Sequence, residues 1–271
     1  MTEILDTLSL EGLRFTTVKL HESDHVFTIT LDRVQRKNAI NAEMTNELIY
    51  ALDYAKQRRS IRVVVLAAEG DVFCAGGDLR SMRGEPEAGE VSNVPARGGV
   101  DDISLRIYHL NKPLIAQIQG SVLAGALLMV CNATHAIAAD HAEFSAPEIK
   151  RGIWPCMVMA GLFRVMPKRA GLDFIMRGEA MNAHQAAHYG LINEAVPAKD
   201  LQARVAELAQ QMARLAPGTM QMGLAAYNQQ SEMSFDAALP YLRKQIDACL
   251  ESADAKEGIA AFLEKREPKW D

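Results

Sequence analysis

Hydrophobic positions follow two periods along this chain, and the switches between them predict its elements. From Leu13 to Arg33 the pattern favours strands: Phe15, Thr16, Thr17 and Val18 form one run and Val26, Phe27, Thr28, Ile29 and Thr30 a second. His21 to Asp24 separates them, which reads as a hairpin. Met44, Leu48, Leu52 and Ala55 then recur at helical spacing, predicting an amphipathic helix from Ala42 to Arg59. Val63-Val64-Val65-Leu66 is continuously apolar and short, as a strand buried on both faces would be. The cycle repeats with a Gly/Pro-rich loop from Arg83 to Gly99, a helix over Asp101 to Leu110, a strand over Pro113 to Ile118, a small-residue helix from Gly125 to Ala133 and a strand starting at His135. Such alternation predicts layered α/β packing with right-handed crossovers. After about Pro155 the pattern predicts helices alone, Val205, Leu208, Met212 and Leu215 marking one of them. The chain divides on this reading into a core over residues 1–200 and a C-terminal helical segment over 201–271 that packs on a neighbouring subunit.

Composition narrows the function classes. A net charge of -5 and no basic helix face argue against nucleic acid as a partner, since such surfaces need clustered cations. The stretch from Val122 to Val130 is too short to span a bilayer. Glu3, Asp6 and Glu11 stand where a signal peptide would need a basic region and an apolar run, so the expectation is a cytoplasmic protein that does not enter a membrane. Cys74, Cys131, Cys156 and Cys249 lack paired spacings, which points to reduced, mostly buried thiols and to no metal site. His135 and His141 likewise lack ligand spacing and read as structural.

Candidate chemistry lies at two strand ends. Phe73-Cys74-Ala75-Gly76-Gly77-Asp78-Leu79 follows the buried strand, and paired glycines let backbone N–H groups approach a ligand. A tight turn would use them equally well. Ile118-Gln119-Gly120-Ser121-Val122-Leu123-Ala124-Gly125-Ala126 opens into a helix, where an unpaired N–H and the helix dipole favour a developing negative oxygen. Close helix packing would use the same small residues. Two such turns in one domain point towards an oxyanion hole.

With Arg36-Lys37-Asn38-Ala39-Ile40-Asn41, Lys112-Pro113-Leu114-Ile115-Ala116, Phe144-Ser145-Ala146-Pro147-Glu148, Gly190-Leu191-Ile192-Asn193, Val196-Pro197 and Ala261-Phe262-Leu263-Glu264-Lys265-Arg266 in the same order, the chain resembles the enoyl-CoA hydratase/isomerase (crotonase) family over nearly its whole length. The resemblance implies an α/β spiral of ββα units with a C-terminal helical segment, a homotrimer or hexamer, an acyl-CoA thioester as substrate, and no cofactor apart from the coenzyme A of that substrate. It also implies that the N–H groups of Gly77 and Gly125 hold the thioester oxygen and that Glu148 is the catalytic carboxylate. Ala75, Asp78 and Leu79 fall in the CoA-binding turn, with the Ala75 carbonyl facing the adenine. Arg36 and Lys37 fall near the phosphates, and Phe262 and Lys265 near the nucleotide, reaching over from a neighbouring subunit.

The match breaks at Leu128, which stands where family hydratases carry a second glutamate, and at Gly152-Ile153-Trp154-Pro155-Cys156-Met157, where a glycine-rich turn is usual. Leucine neither orients nor deprotonates water, whereas one carboxylate suffices to take a proton α to a thioester and return it elsewhere. Isomerisation of an enoyl-CoA is therefore expected ahead of hydration. Trp154 and its neighbours are expected to shape the acyl pocket, and Leu128, Ile153, Trp154 and Met157 to desolvate Glu148 and raise its pKa. Hydration, another reaction of the fold such as decarboxylation or hydrolysis, and acyl-CoA binding without catalysis are the competing readings.

Overall fold

A computed structural model describes residues 8–85 and 91–270. Glu3 and Asp6, and residues 86–90 of the expected loop, lie outside the described residues.

The chain winds through successive units; after the first, each adds one strand to a large sheet, a shorter one to a small sheet, and then helix. The first unit is a hairpin, β1 (Val18–Ser23) and β2 (Val26–Leu31), followed by α1 (Ala42–Gln57). Three more turns follow. The first comprises β3 (Val63–Ala68), β4 (Val72–Cys74), α2 (Leu79–Met82) and α3 (Val100–Tyr108). Next come β5 (Leu114–Ile118), β6 (Ser121–Leu123) and α4 (Ala126–Asn132). The last has β7 (His135–Ala139), β8 (Glu143–Ser145), α5 (Cys156–Val165) and α6 (Lys168–Arg177). The large sheet is ordered β1-β2-β3-β5-β7-β10, antiparallel between β1 and β2 and parallel thereafter, with β10 at Glu194–Val196. The small sheet, β4-β6-β8-β9, stands beside it, with β9 at Met181–Asn182.

Side-chain alternation along β3 feeds two cores, as a period of two requires. Val64 and Leu66 join the main core with Phe27, Phe73 and Phe144, while Val63, Val65 and Ala67 face Leu201, Val205, Ala209 and Ala213 of α8 (Leu201–Ala213). That is why the strand reads as a continuous apolar run. The expected division after residue 200 thus falls at the start of a helix that lies on the sheet. The remaining helices, α9 (Pro217–Gln230), α10 (Phe235–Leu250) and α11 (Ala253–Glu264), pack chiefly on one another.

Three expectations need correction. The strand begun at Phe15 starts instead at Val18 and continues through His21 to Ser23. The turn is the two-residue loop Asp24-His25, both with positive φ (49° and 66°), as a twisted hairpin favours. Strands do not stop at Pro155: β9 and β10 come later, the latter beside β7, held by Asn193, whose N–H donates to the Ala136 carbonyl and whose Oδ1 accepts from the Ala136 N–H (both 2.8 Å). Two or three residues are too few to show a period. Of the four thiols only Cys74 and Cys131 are buried; Cys156 is exposed and Cys249 half-buried, and all are free. Among the described residues no helix is long and apolar enough to cross a membrane, and no group of His, Cys, Asp or Glu is arranged to hold a metal ion.

Between β9 and β10 runs a short helix, α7 (Ala183–His188), capped by a reciprocal Asn182–Gln185 pair.

Candidate active site

The first glycine turn leaves β4 at Cys74. Ile40 bridges it: the Ile40 N–H donates to the Gly76 carbonyl (2.8 Å) and the Asp78 N–H to the Ile40 carbonyl (2.9 Å). This pattern uses the groups on either side of Gly77 and leaves the Gly77 N–H directed away from the bridge. The Ala75 N–H donates to the Lys37 carbonyl (3.0 Å), so the exposed Arg36-Lys37 pair lies beside the turn. Buried Asn38, left-handed at φ 53°, fixes that approach by donating to the Glu69 and Val72 carbonyls (2.9 and 2.8 Å) and accepting from the Arg33 N–H (2.8 Å). Asp78 is buried against Arg33 at 2.7 Å and caps α2 by accepting from the Arg80 and Ser81 N–H groups. Burial works against its charge, but the guanidinium and the two N–H groups prevail and hold its pKa below the ordinary carboxylate value. The Asp78 carboxylate therefore anchors the turn, while Leu79 is exposed beside it.

The second turn leaves β6. Ala124 takes a left-handed conformation (φ 54°) and its N–H donates to the Ser145 carbonyl (2.9 Å), which ties the turn to the end of β8. Gly125 follows at the N-terminus of α4. Gly76 (φ 83°) packs directly on this turn: a Cβ built there would lie 2.9 Å from the Ala124 Cβ and 3.1 Å from the Gly125 nitrogen. The two turns thus touch, and among the described residues neither the Gly77 nor the Gly125 N–H donates to a backbone carbonyl. Space around Gly125 is open, with nothing within 4 Å of its missing Cβ.

The carboxylate arrives from the neighbouring strand. β8 pairs with β6 through Leu123 and Ser145, and the chain then turns at Ala146 into a 3-10 helix over Pro147–Arg151 that carries Glu148. Glu148 is half-buried, and its Oε2 is sealed from solvent without a hydrogen-bond partner. Desolvation raises its pKa above the usual carboxylate value, opposed by a backbone hydrogen bond and by Arg151. A buried carboxylate oxygen with no partner is uncommon and marks a group awaiting a ligand or a proton.

Leu128 sits one turn into α4, its N–H on the Gly125 carbonyl (3.2 Å), and the residue is buried, 8% exposed. It lines a cavity with Leu105 and Met157. Ile153, Trp154 and Met157, expected to enclose Glu148, are each more than a third exposed on this chain; the Ile153 N–H donates to the Glu148 carbonyl (3.1 Å), and the Trp154 indole N–H donates to the Met159 sulfur (3.3 Å). Their bulk forms an outward apolar patch at the start of α5. Phe262, 82% exposed, and Lys265, in a left-handed cap, project from α11 into solvent. Sequence reasoning missed Arg33, Ala124 and Ser145 as the residues that hold the turns together, and took Asn38 only as part of a motif. Nothing local in the sequence marks a contact across separate strands.

A ββα spiral in which two strand-to-helix turns meet beside a desolvated carboxylate defines an enzyme of the crotonase fold. The chain belongs to the enoyl-CoA hydratase/isomerase family, an acyl-CoA-processing family whose model matches residues 21–271. Among its relatives is the carnitinyl-CoA dehydratase of Escherichia coli K12, 32% identical, the match covering 94% of this chain and 98% of that protein. Enoyl-CoA hydratase domain-containing protein 3 of Rattus norvegicus, a mitochondrial protein, is 25% identical over 92% of this chain and 82% of its own. The crystal structure of an enoyl-CoA hydratase from Mycobacterium smegmatis superposes with a TM-score of 0.85 at 28% identity, covering 94% of this chain and 99% of that one.

Proposed function

We propose that this enzyme shifts the double bond of an enoyl-CoA thioester from the β,γ to the α,β position, with Glu148 as its one acid/base. The thioester oxygen lies between the Gly77 and Gly125 N–H groups. Glu148 takes a proton from the α-carbon, the electron pair moves onto that oxygen, and the two N–H donors stabilise the enolate as its charge develops. The same carboxyl then returns the proton at the γ-carbon and is regenerated as a carboxylate. Desolvation makes Glu148 a stronger base than a surface glutamate, which suits a proton held by a weak carbon acid. The reaction needs no metal or redox group, coenzyme A being part of the substrate.

The observation that carries this reading is buried Leu128 at the helix position where family hydratases have their water-activating glutamate. Hydration of a 2-enoyl-CoA is the second reading, favoured by the names of the hydratase and dehydratase relatives. Comparing the two activities of the parent enzyme decides between them, and hydratase activity far above isomerase activity would overturn the first. The role of Glu148 is tested by Glu148→Gln, which keeps the shape of the side chain: CoA-ester binding by calorimetry should stay near the parent value while kcat falls by about 10²–10⁴-fold. Parent-like turnover in that variant would show that another group moves the proton.

The active assembly is proposed to be a homotrimer or a pair of trimers, with Arg36 and Lys37 of one subunit and Phe262 and Lys265 of its neighbour at the CoA nucleotide. Support comes from α10, whose Phe235, Leu239, Leu242, Ile246 and Leu250 are all more than a third exposed and share one helix face.

A further inference from the structure

A cavity of about 420 Å³ opens behind Leu128, between α3, α4 and α5. Leu105, Leu128, Met157 and Ala160 give it an aliphatic wall, and the polar Asp101, Ser104 and His109 of α3 and its end also border it. Because the Leu128 N–H rests on the Gly125 carbonyl, this space begins one helical turn from the oxyanion donor. Its chemistry suits an aliphatic tail and not the polar groups of CoA.

A second cavity, of about 630 Å³, lies beyond it and extends along α9 to Thr134 and His135. Tyr108, Asn132, Arg164 and Glu232 line both cavities and so form the partition between them. The centre of this partition is an ion pair: Arg164 Nη2 donates to Glu232 Oε1 at 2.9 Å, while Nη1 donates to the Ala160 carbonyl one turn back. Glu232 is held in place from behind. The Tyr108 hydroxyl donates to the Asn228 carbonyl (3.2 Å) and the Asn228 amide to the Tyr108 carbonyl (2.6 Å), docking the end of α9 on the end of α3.

We propose that the Arg164–Glu232 pair sets the length of acyl chain the enzyme accepts, ending the cavity behind Leu128 and closing it to the larger one beyond. The inference rests on the reading of the Leu128 side as the acyl side of a CoA-thioester site. An advancing methyl terminus gains by leaving water along the aliphatic wall and stops where further travel would strip water from a charged pair without replacing it. Both side chains are more than half exposed, so the pair adds little to the fold and its removal leaves the protein folded.

The test is a chain-length profile on 3-butenoyl-, 3-octenoyl-, 3-dodecenoyl- and 3-hexadecenoyl-CoA, read as the ratio of kcat/KM on the longest to the shortest. In Glu232→Ala, and more so in the Arg164→Ala/Glu232→Ala double variant, that ratio should rise by about tenfold or more, the scale on which apolar pockets discriminate added methylenes. Ala160→Leu, which fills the cavity without touching the pair's charges, should move the ratio the other way. A parent active on short chains whose variants all keep the parent ratio would overturn the partition alone. A parent that neither binds nor turns over any of the four esters would overturn the reading of the site, and the partition with it.

Discussion

At the scale of single residues, the proposed reaction depends on keeping a carboxylate in surroundings that disfavour its charge. Burial places the folded-state pKa of Glu148 above its unfolded value, so the stability it contributes is fully present below the ordinary carboxylate pKa and is lost as pH rises through the raised one. Glu148→Gln stays neutral throughout. The variant should melt above the parent at neutral pH, with the gap closing towards acid, as thermal denaturation across a pH series will show. The parent's kcat/KM should fall on the acid side with an apparent pKa above that of a free glutamate. Leu128 is the complementary case. Leu128→Glu places a second carboxylate in the same dry space and should raise the ratio of 2-enoyl-CoA hydration to isomerisation over the parent's. A ratio that does not move would show that the leucine is not what withholds water. Glu148 and Leu128 were both legible in the sequence, since each is marked by the motif around it. The unpartnered Oε2 was not, because desolvation is a property of what packs nearby.

At the scale of elements, the proposed oxyanion hole depends on two turns meeting. Gly76 illustrates how narrowly: its positive φ strains any side chain, and a Cβ would press on Ala124 and the Gly125 backbone. Gly76→Ala should therefore part the two N–H donors and lower kcat by about 10²–10³-fold, the cost of an oxyanion donor, with a smaller effect on CoA-ester binding. Steady-state kinetics with calorimetric binding will check it, and an unaffected kcat would mean that the turns do not act together. The sequence marked both turns as strand-to-helix glycine sites, yet each fits a tight turn or close helix packing just as well. What distinguishes them is the parallel pairing of β4, β6 and β8, which brings three sequence-distant strand ends together. The Arg33–Asp78 pair belongs to the same scale. It is buried on both sides, and removing one partner of such a pair commonly costs about 3–5 kcal/mol.

At the scale of the molecule, the spiral encloses its own core but leaves the face of α10 uncovered. An apolar stripe of this length on a water-facing helix is a liability in a monomer and an interface in an oligomer. Light scattering after size exclusion should report a trimer or hexamer, and Leu239→Lys/Ile246→Lys should shift it to monomer. Parent protein that runs as a monomer at high concentration would remove the proposed neighbour from the nucleotide site. Such a result would leave Phe262 and Lys265 without a role there.

The sequence by itself determined the alternation of strands and helices, the doubly buried β3, the glycine turns and the one surviving carboxylate, because these follow from local periodicity and from residue types with few alternative uses. It fixed neither the two late strands nor the true hairpin turn, since β9 and β10 are too short to have a period and the bend at Asp24-His25 depends on paired register. Tertiary structure alone decided that Asp78 anchors a turn through Arg33, that Ile153 and Trp154 are exposed at the start of α5, and that Arg164 and Glu232 line two neighbouring cavities. Each of these is a relation between residues far apart in the chain, set by which surfaces are left to meet once the sheets have formed.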